Sequence, residues 1–116
     1  MQPVYASNGE WVALIHNGYL FDTRGEWIGW LEGREVYNLD GFYVGELSSD
    51  SRVVRDRVPP QRPRKRLPPV PPKILPPARV PLAPLFAELP WRKLDVFEEE
   101  PDVFRFISDL RPDWED

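Results

Sequence analysis

No cysteine occurs in the 116 residues, and histidine occurs once, at position 16. The first absence excludes disulfides and thiolate metal sites and gives no sign of an oxidising compartment. The second leaves one imidazole, in a predicted connection beside Asn17-Gly18 with no second ligand or carboxylate at a matching position, so no histidine metal cluster is available and no Ser-His-Asp set is expected. No apolar run approaches the ~18 residues of a membrane span. The start, Met1-Gln2-Pro3-Val4-Tyr5, has no basic region leading into an apolar core. A soluble, cytoplasmic chain is the expectation. Basic residues are scarce in the first part: residues 1–51 hold 2 basic and 8 acidic side chains, whereas 52–79 hold 9 and 1, and 80–116 hold 4 and 10. Such blocks either attract one another or leave the central one to seek an outside polyanion.

What is present is a repeat of 16 residues. Val4-Tyr5…Asn8-Gly9…Trp11-Val12-Ala13-Leu14-Ile15 is followed by Leu20-Phe21…Arg24-Gly25…Trp27-Ile28-Gly29-Trp30-Leu31 and by Val36-Tyr37…Asp40-Gly41…Tyr43-Val44-Gly45-Glu46-Leu47. A period this strict means copies of one supersecondary unit that must share a core. Asn-Gly and Asp-Gly between short β-type runs predict hairpins closed by type I′ turns. Further reversals are expected at His16-Asn17-Gly18, Glu32-Gly33-Arg34 and Ser48-Ser49-Asp50. The fold class is therefore all-β, an antiparallel meander of three to four hairpins around a common axis.

Strand alternation places Trp11, Ala13, Ile15, Trp27, Gly29, Leu31, Tyr43, Gly45 and Leu47 on one face. Alanine or glycine in mid-strand predicts close backbone approach where units meet. The opposite face, with Val12, Leu14, Ile28, Trp30 and Val44, is apolar enough to need cover as well. Val53-Val54-Arg55-Asp56 starts a fourth, degenerate unit lacking the aromatic and the glycine, so the last copy is either atypical or completed by something else.

Three regions result: a hairpin-repeat domain over 1–58, a proline-rich basic arm over 59–90 and an acidic amphipathic tail over 91–116. The arm holds 12 prolines, which forbids helix and central strand and favours polyproline II. In the tail, Trp91, Leu94 and Phe97 follow helical spacing, and Val103, Phe106, Ile107 and Leu110 fit a second short helix opening at Pro101.

The repeats, the proline-rich segment and the Trp91 region together resemble the bacterial four-fold β-flower domain family. The resemblance is carried by Tyr-x-x-x-Gly-x-x-Val-Ala/Gly units, of which Tyr5…Gly9…Val12-Ala13 and Tyr37…Gly41…Val44-Gly45 are examples. It implies four hairpin units about an axis, and it brings no assigned activity or catalytic residue.

Catalysis draws little from the residues themselves. Glu10 and Glu26 share a repeat position, but the third copy has Phe42 there, and carboxylates after hairpin turns normally sit in solvent. No cofactor, metal site or small-molecule substrate is expected. The candidate contact residues lie in the arm and tail. Arg62, Arg64, Lys65 and Arg66, preceded by Arg52, Arg55 and Arg57, form a cation cluster suited to phosphates, although no aromatic accompanies it for base stacking. Its bland reading is an arm paired over acidic surfaces of its own chain. Pro68, Pro69, Pro71 and Pro72, after Lys65 and Arg66, match a ligand for aromatic grooves that read polyproline II, though so many prolines produce such matches easily. Trp91, Leu94, Phe97, Val103, Phe106, Ile107 and Leu110 anchor either on a partner or on the protein's own uncovered face. The expectation is a noncatalytic protein–protein interaction or scaffold module, homo-oligomeric, with arm and tail contacting neighbouring subunits or partners. The alternative is nucleic-acid or ribonucleoprotein binding through the basic arm.

Overall fold

Each repeat folds as one antiparallel hairpin in the computed structural model, which describes residues 1–104. The strands are β1 (Gln2–Tyr5), β2 (Trp11–His16), β3 (Tyr19–Asp22), β4 (Trp27–Glu32), β5 (Glu35–Asn38), β6 (Tyr43–Leu47), β7 (Val53–Asp56) and β8 (Lys93–Asp95), followed by helix α1 (Val96–Glu99). They form a single eight-stranded sheet ordered β1 to β8, with every neighbouring pair antiparallel. The expected all-β meander with short helices after it is what is found. A further helical stretch is described at 102–104.

The turns differ from expectation in type. Within the first hairpin the chain reverses over Ala6 to Gly9, closed by Gly9 N–H donating to Ala6 O at 2.9 Å, and only the glycine has positive φ. The type I′ turn needs two such residues. It occurs instead between repeats, where Asn17 (φ 54) and Gly18 (φ 80) join His16 to Tyr19. His16 is consequently the last residue of β2 rather than part of a loop. Asp22 and Asn38 stabilise the second and third hairpin turns, each Oδ1 accepting two backbone N–H groups.

The two-face assignment also changes. Val4 pairs with Ala13 but Tyr5 with Trp11, and the same one-residue slip recurs at Leu20/Phe21 and Val36/Tyr37. Each slip is a β-bulge that inserts Val12, Ile28 or Val44 and turns the strand. Strict alternation therefore fails: Ile28 and Val44 join Val4, Ala13, Leu20, Val36, Val53, Leu94, Val96 and Phe104 in one buried cluster. The small residues do mark crowding between units. A Cβ on Gly29 would collide with the Tyr37 carbonyl oxygen, and one on Gly45 would lie 2.8 Å from that of Val54, both in the next hairpin's first strand.

The fourth hairpin is completed from far along the chain. Val53-Val54 does form β7, and its partner is β8, which lies beyond the proline-rich segment; Val54 pairs with Asp95, Arg55 with Leu94 and Asp56 with Lys93. The helix expected through Trp91, Leu94 and Phe97 is corrected accordingly: Leu94 is in a strand and buried, Trp91 sits in an exposed turn, and only Phe97 is helical. The open edge of β7 offers backbone partners that outweigh a weak local helical preference. The meander's ends then meet. Tyr5 N–H donates to Ser51 O at 2.9 Å, while Ser7 donates from both N and Oγ to Asp95 Oδ2 at 2.7 Å. Below this ring, Val96 and Phe104 enter the core, Phe97 stacks on Phe104 at 5.0 Å, and Asn38 Nδ2 donates to Val103 O. Phe106, Ile107 and Leu110 lie outside the described residues.

Candidate interaction surface

The sheet's second face is aromatic, because the residue after each core aliphatic of a first strand points the other way. Tyr5, Phe21 and Tyr37, with Leu14 and Trp30, are buried although none belongs to the core cluster. Trp30 stacks on Tyr37 at 5.4 Å, and Tyr43 meets Tyr37 edge-on at 6.2 Å. Their cover is the segment 57–92, which replaces a turn in the fourth hairpin and acts as a strap.

The strap passes the hairpins in reverse order. At the third, Arg62 pairs with Glu35 and lies over the Tyr43 ring at 4.6 Å. Arg64 Nε donates to Asp40 O at 2.6 Å and its guanidinium lies over Phe42, while Lys65 N–H donates to Gly41 O at 2.9 Å. Lys65 Nζ reaches Glu32 at 2.5 Å and lies over Tyr37. At the second hairpin, Arg66 and Pro68 line a recess with Trp30 and Tyr19, whose hydroxyl donates to Pro69 O at 3.0 Å. At the first, Leu75, Pro77 and Pro81 line a recess with Pro3 and Leu14, and the Tyr5 hydroxyl donates to Pro81 O. Phe86 then stands between Tyr5 and the buried Arg52, and the chain reaches β8. Pro71 is partly covered and Pro72 exposed.

The charge blocks thus pair within the chain. Besides the strap contacts, Arg55 pairs with Glu100, Arg57 with Glu99, Arg52 with Asp50 and Lys93 with Asp56. The Arg62 and Lys65 bonds hold the Glu35 and Glu32 carboxyls below their ordinary value of 4.5, and burial pushes the Tyr37 and Tyr43 hydroxyls up. A lowered carboxylate value strengthens docking above the ordinary value and loses that contribution as pH falls through the lowered one. Protection of the Lys65 amide against hydrogen exchange should therefore stay level from about pH 8 to 6 and decline below about pH 4.

Glycines at matching repeat positions separate the strap's contribution from turn strain. Gly9 and Gly41 have φ of 92° and 87°, but a Cβ on Gly9 meets nothing, whereas one on Gly41 would collide with the Lys65 carbonyl oxygen. Both alanine variants carry the left-handed penalty of about 1 kcal/mol. Gly41→Ala is expected to cost a further ~1–2 kcal/mol by displacing the strap, read from denaturant unfolding of the two variants side by side.

The family described as 4-fold beta flower protein matches residues 2–96. The chain belongs to that family. The match runs from β1 through β8, so the beta flower unit includes all four hairpins and the strap between the strands of the last. No curated protein and no solved structure matches the chain. Among the described residues no helix is long and apolar enough to cross a membrane, and no group of three or more His, Cys, Asp or Glu is placed to hold a metal ion.

Sequence reasoning named the arm's Arg62, Arg64, Lys65 and Arg66 but missed what receives the first three: Glu32, Glu35, the Asp40 and Gly41 carbonyls and the rings of Tyr37, Phe42 and Tyr43. The available signal was the pairing of an aliphatic with an aromatic in each first strand, which makes both faces apolar.

Proposed function

We propose that this beta flower chain is a noncatalytic protein–protein interaction module that assembles with further copies of itself, using the strap as its contact element. The observation that carries the reading is the position of exposed apolar bulk. Among the described residues, Val58, Val70, Leu75, Leu82, Leu85 and Trp91 are each at least 78% exposed, and all lie within 58–91. Scattered exposed leucines are ordinary, but a row of them on one stiff segment marks a contact surface. Polyproline backbone loses little entropy on contact, so such a row binds at low ordering cost. Every copy carries the same row, which suits a symmetric contact.

Phosphate binding by the basic arm draws less support. Arg62 and Lys65 are bonded to the Glu35 and Glu32 carboxylates and Arg64 to the Asp40 carbonyl, and all three lie over aromatic rings, so at these three of the four named cations nucleic acid would have to replace contacts already made.

Light scattering of the full chain at micromolar concentration should report an oligomer, and the variant Leu75→Ser/Leu82→Ser/Leu85→Ser, with unchanged circular dichroism, a smaller species. A strictly monomeric full chain would overturn the reading.

A further inference from the structure

The tail meets the hairpins one after another. Arg55 and Arg57, in and just beyond β7 of the fourth hairpin, hold Glu100 and Glu99, and Asn38 of the third donates to Val103 O at 3.1 Å. The turns of the second and first hairpins come next at the same end of the sheet. Between them lies a recess of about 530 Å³, and Phe104, the last described residue, forms part of its wall.

Repeats and tail together give this recess an apolar interior. Ile28 and Phe104 are buried there, whereas Trp11, Val12 and Phe97 are covered only in part. Trp11 Nε1 donates to Ala13 O at 2.8 Å, so the ring is already held as a wall. A fixed, incompletely covered apolar wall gains from every aliphatic group laid against it. The rim is acidic: Glu10, Asp22 and Glu26 share one cation, Arg24, which reaches Asp22 at 3.3 Å and Glu26 at 3.4 Å. Glu10 has no ion pair among the described residues.

The sequence beyond Phe104 matches both properties, because it opens Arg105-Phe106-Ile107, a cation and then two apolar side chains. Val103 N–H and Phe104 N–H donate to Glu100 O and Pro101 O at 3.2 Å, so the chain arrives at Phe104 in a helical turn. Continued by one turn, the residue three positions on shares Phe104's face at about 5–6 Å. That residue is Ile107. Even fully extended, three residues span at most about 11 Å, which keeps Ile107 within reach of the recess.

We propose that the recess between the first two hairpin turns is the seat of this chain's own 105–110 segment, with Ile107 against Trp11 and Ile28 and Arg105 at the Glu10 carboxylate. The segment ties the first and second hairpins to the tail, as Asn38 and Arg55 tie the third and fourth. A tether this short gives an effective concentration on the order of millimolar, which favours the chain's own segment over a free partner. The seating lies within one molecule and is independent of assembly through the strap.

The full chain, labelled at isoleucine methyls and tryptophan rings, provides the test; Ile107 is one of four isoleucines, so its methyl is readily assigned. Nuclear Overhauser contacts are expected from the Ile107 methyl to the Trp11 ring and the Ile28 methyl. In Ile107→Asp the Trp11 indole resonance should shift and that of Trp27 should not, since Trp27 makes the same indole bond in the next repeat but does not line the recess. An Ile107 methyl in contact with neither Trp11 nor Ile28 overturns the proposal, whatever the variant does. Equal shifts at Trp11 and Trp27 also overturn it, as do contacts found only between labelled and unlabelled molecules in a mixture, which assign the seat to a second copy. A peptide matching 104–112 that shifts Trp11 of the native chain would show the seat free for a foreign partner and would overturn it too.

Discussion

Replacing Asp95 with alanine should lower the stability of the full chain by about 3 kcal/mol and its thermal midpoint by more than about 10 °C. Asp95 is 2% exposed, and its carboxylate makes two kinds of bond at once. Oδ1 accepts from Phe97 N and Glu98 N, capping α1, while Oδ2 accepts from Ser7 N and Ser7 Oγ, tying β8 to the first hairpin. Loss of the cap alone costs about 1 kcal/mol. The remainder comes from Ser7, whose part-buried donors are left without an acceptor at about 1 kcal/mol each. Arg52 extends the damage: its guanidinium donates to Ser7 Oγ at 2.9 Å and is itself buried against Asp50 and Phe86. Asp95→Asn keeps an acceptor for the cap and should lose about half as much. Ser7→Ala in the Asp95→Ala background should cost little more, because the two residues act through one set of bonds.

The second large effect is expected at Gly29. Valine there should destabilise the chain by about 3 kcal/mol or more, since the new Cβ collides with the Tyr37 carbonyl oxygen in the adjoining strand and a backbone atom cannot move aside as a side chain would. Gly29 pairs with Asn38 across β4 and β5, so yielding means separating the second hairpin from the third. The equivalent position of the first hairpin holds Ala13, fully buried, where Ala13→Gly loses only a methyl and some strand preference, about 1 kcal/mol. Urea unfolding of both variants checks the contrast: equal losses would show that the small residue is not needed for the units to meet.

The parts of the fold legible in the sequence are those set by local chemistry. Glycine at 9, 25 and 41 and the aliphatics Val4, Leu20 and Val36 recur because every hairpin solves the same local problem, so they could be read as a period. The bulges could not. Nothing in Trp11-Val12-Ala13 or its two copies announces that one residue is extra, yet the bulges turn Ile28 and Val44 into the core and pack Val12 against it. The fourth hairpin was hidden for a different reason. Lys93-Leu94-Asp95 is too short to display alternation, and it becomes a strand only because β7 presents an unpaired edge from far upstream. Of the candidate contact residues, the charge pattern foretold that the basic block could pair within the chain. Which acid each cation would meet, Glu35 for Arg62 and Glu32 for Lys65, depends on a strap path that only the folded sheet defines.

The central claim is that the chain returns after its proline-rich segment to finish the fourth hairpin. Nuclear Overhauser contacts in the isotopically labelled full chain address it directly. The structure predicts cross-strand backbone contacts between Arg55 and Leu94 and between Val54 and Asp95, with Leu94 buried against the core. Sequential amide contacts continuing in a helical pattern from Trp91 through Phe97, with none to β7, would contradict it.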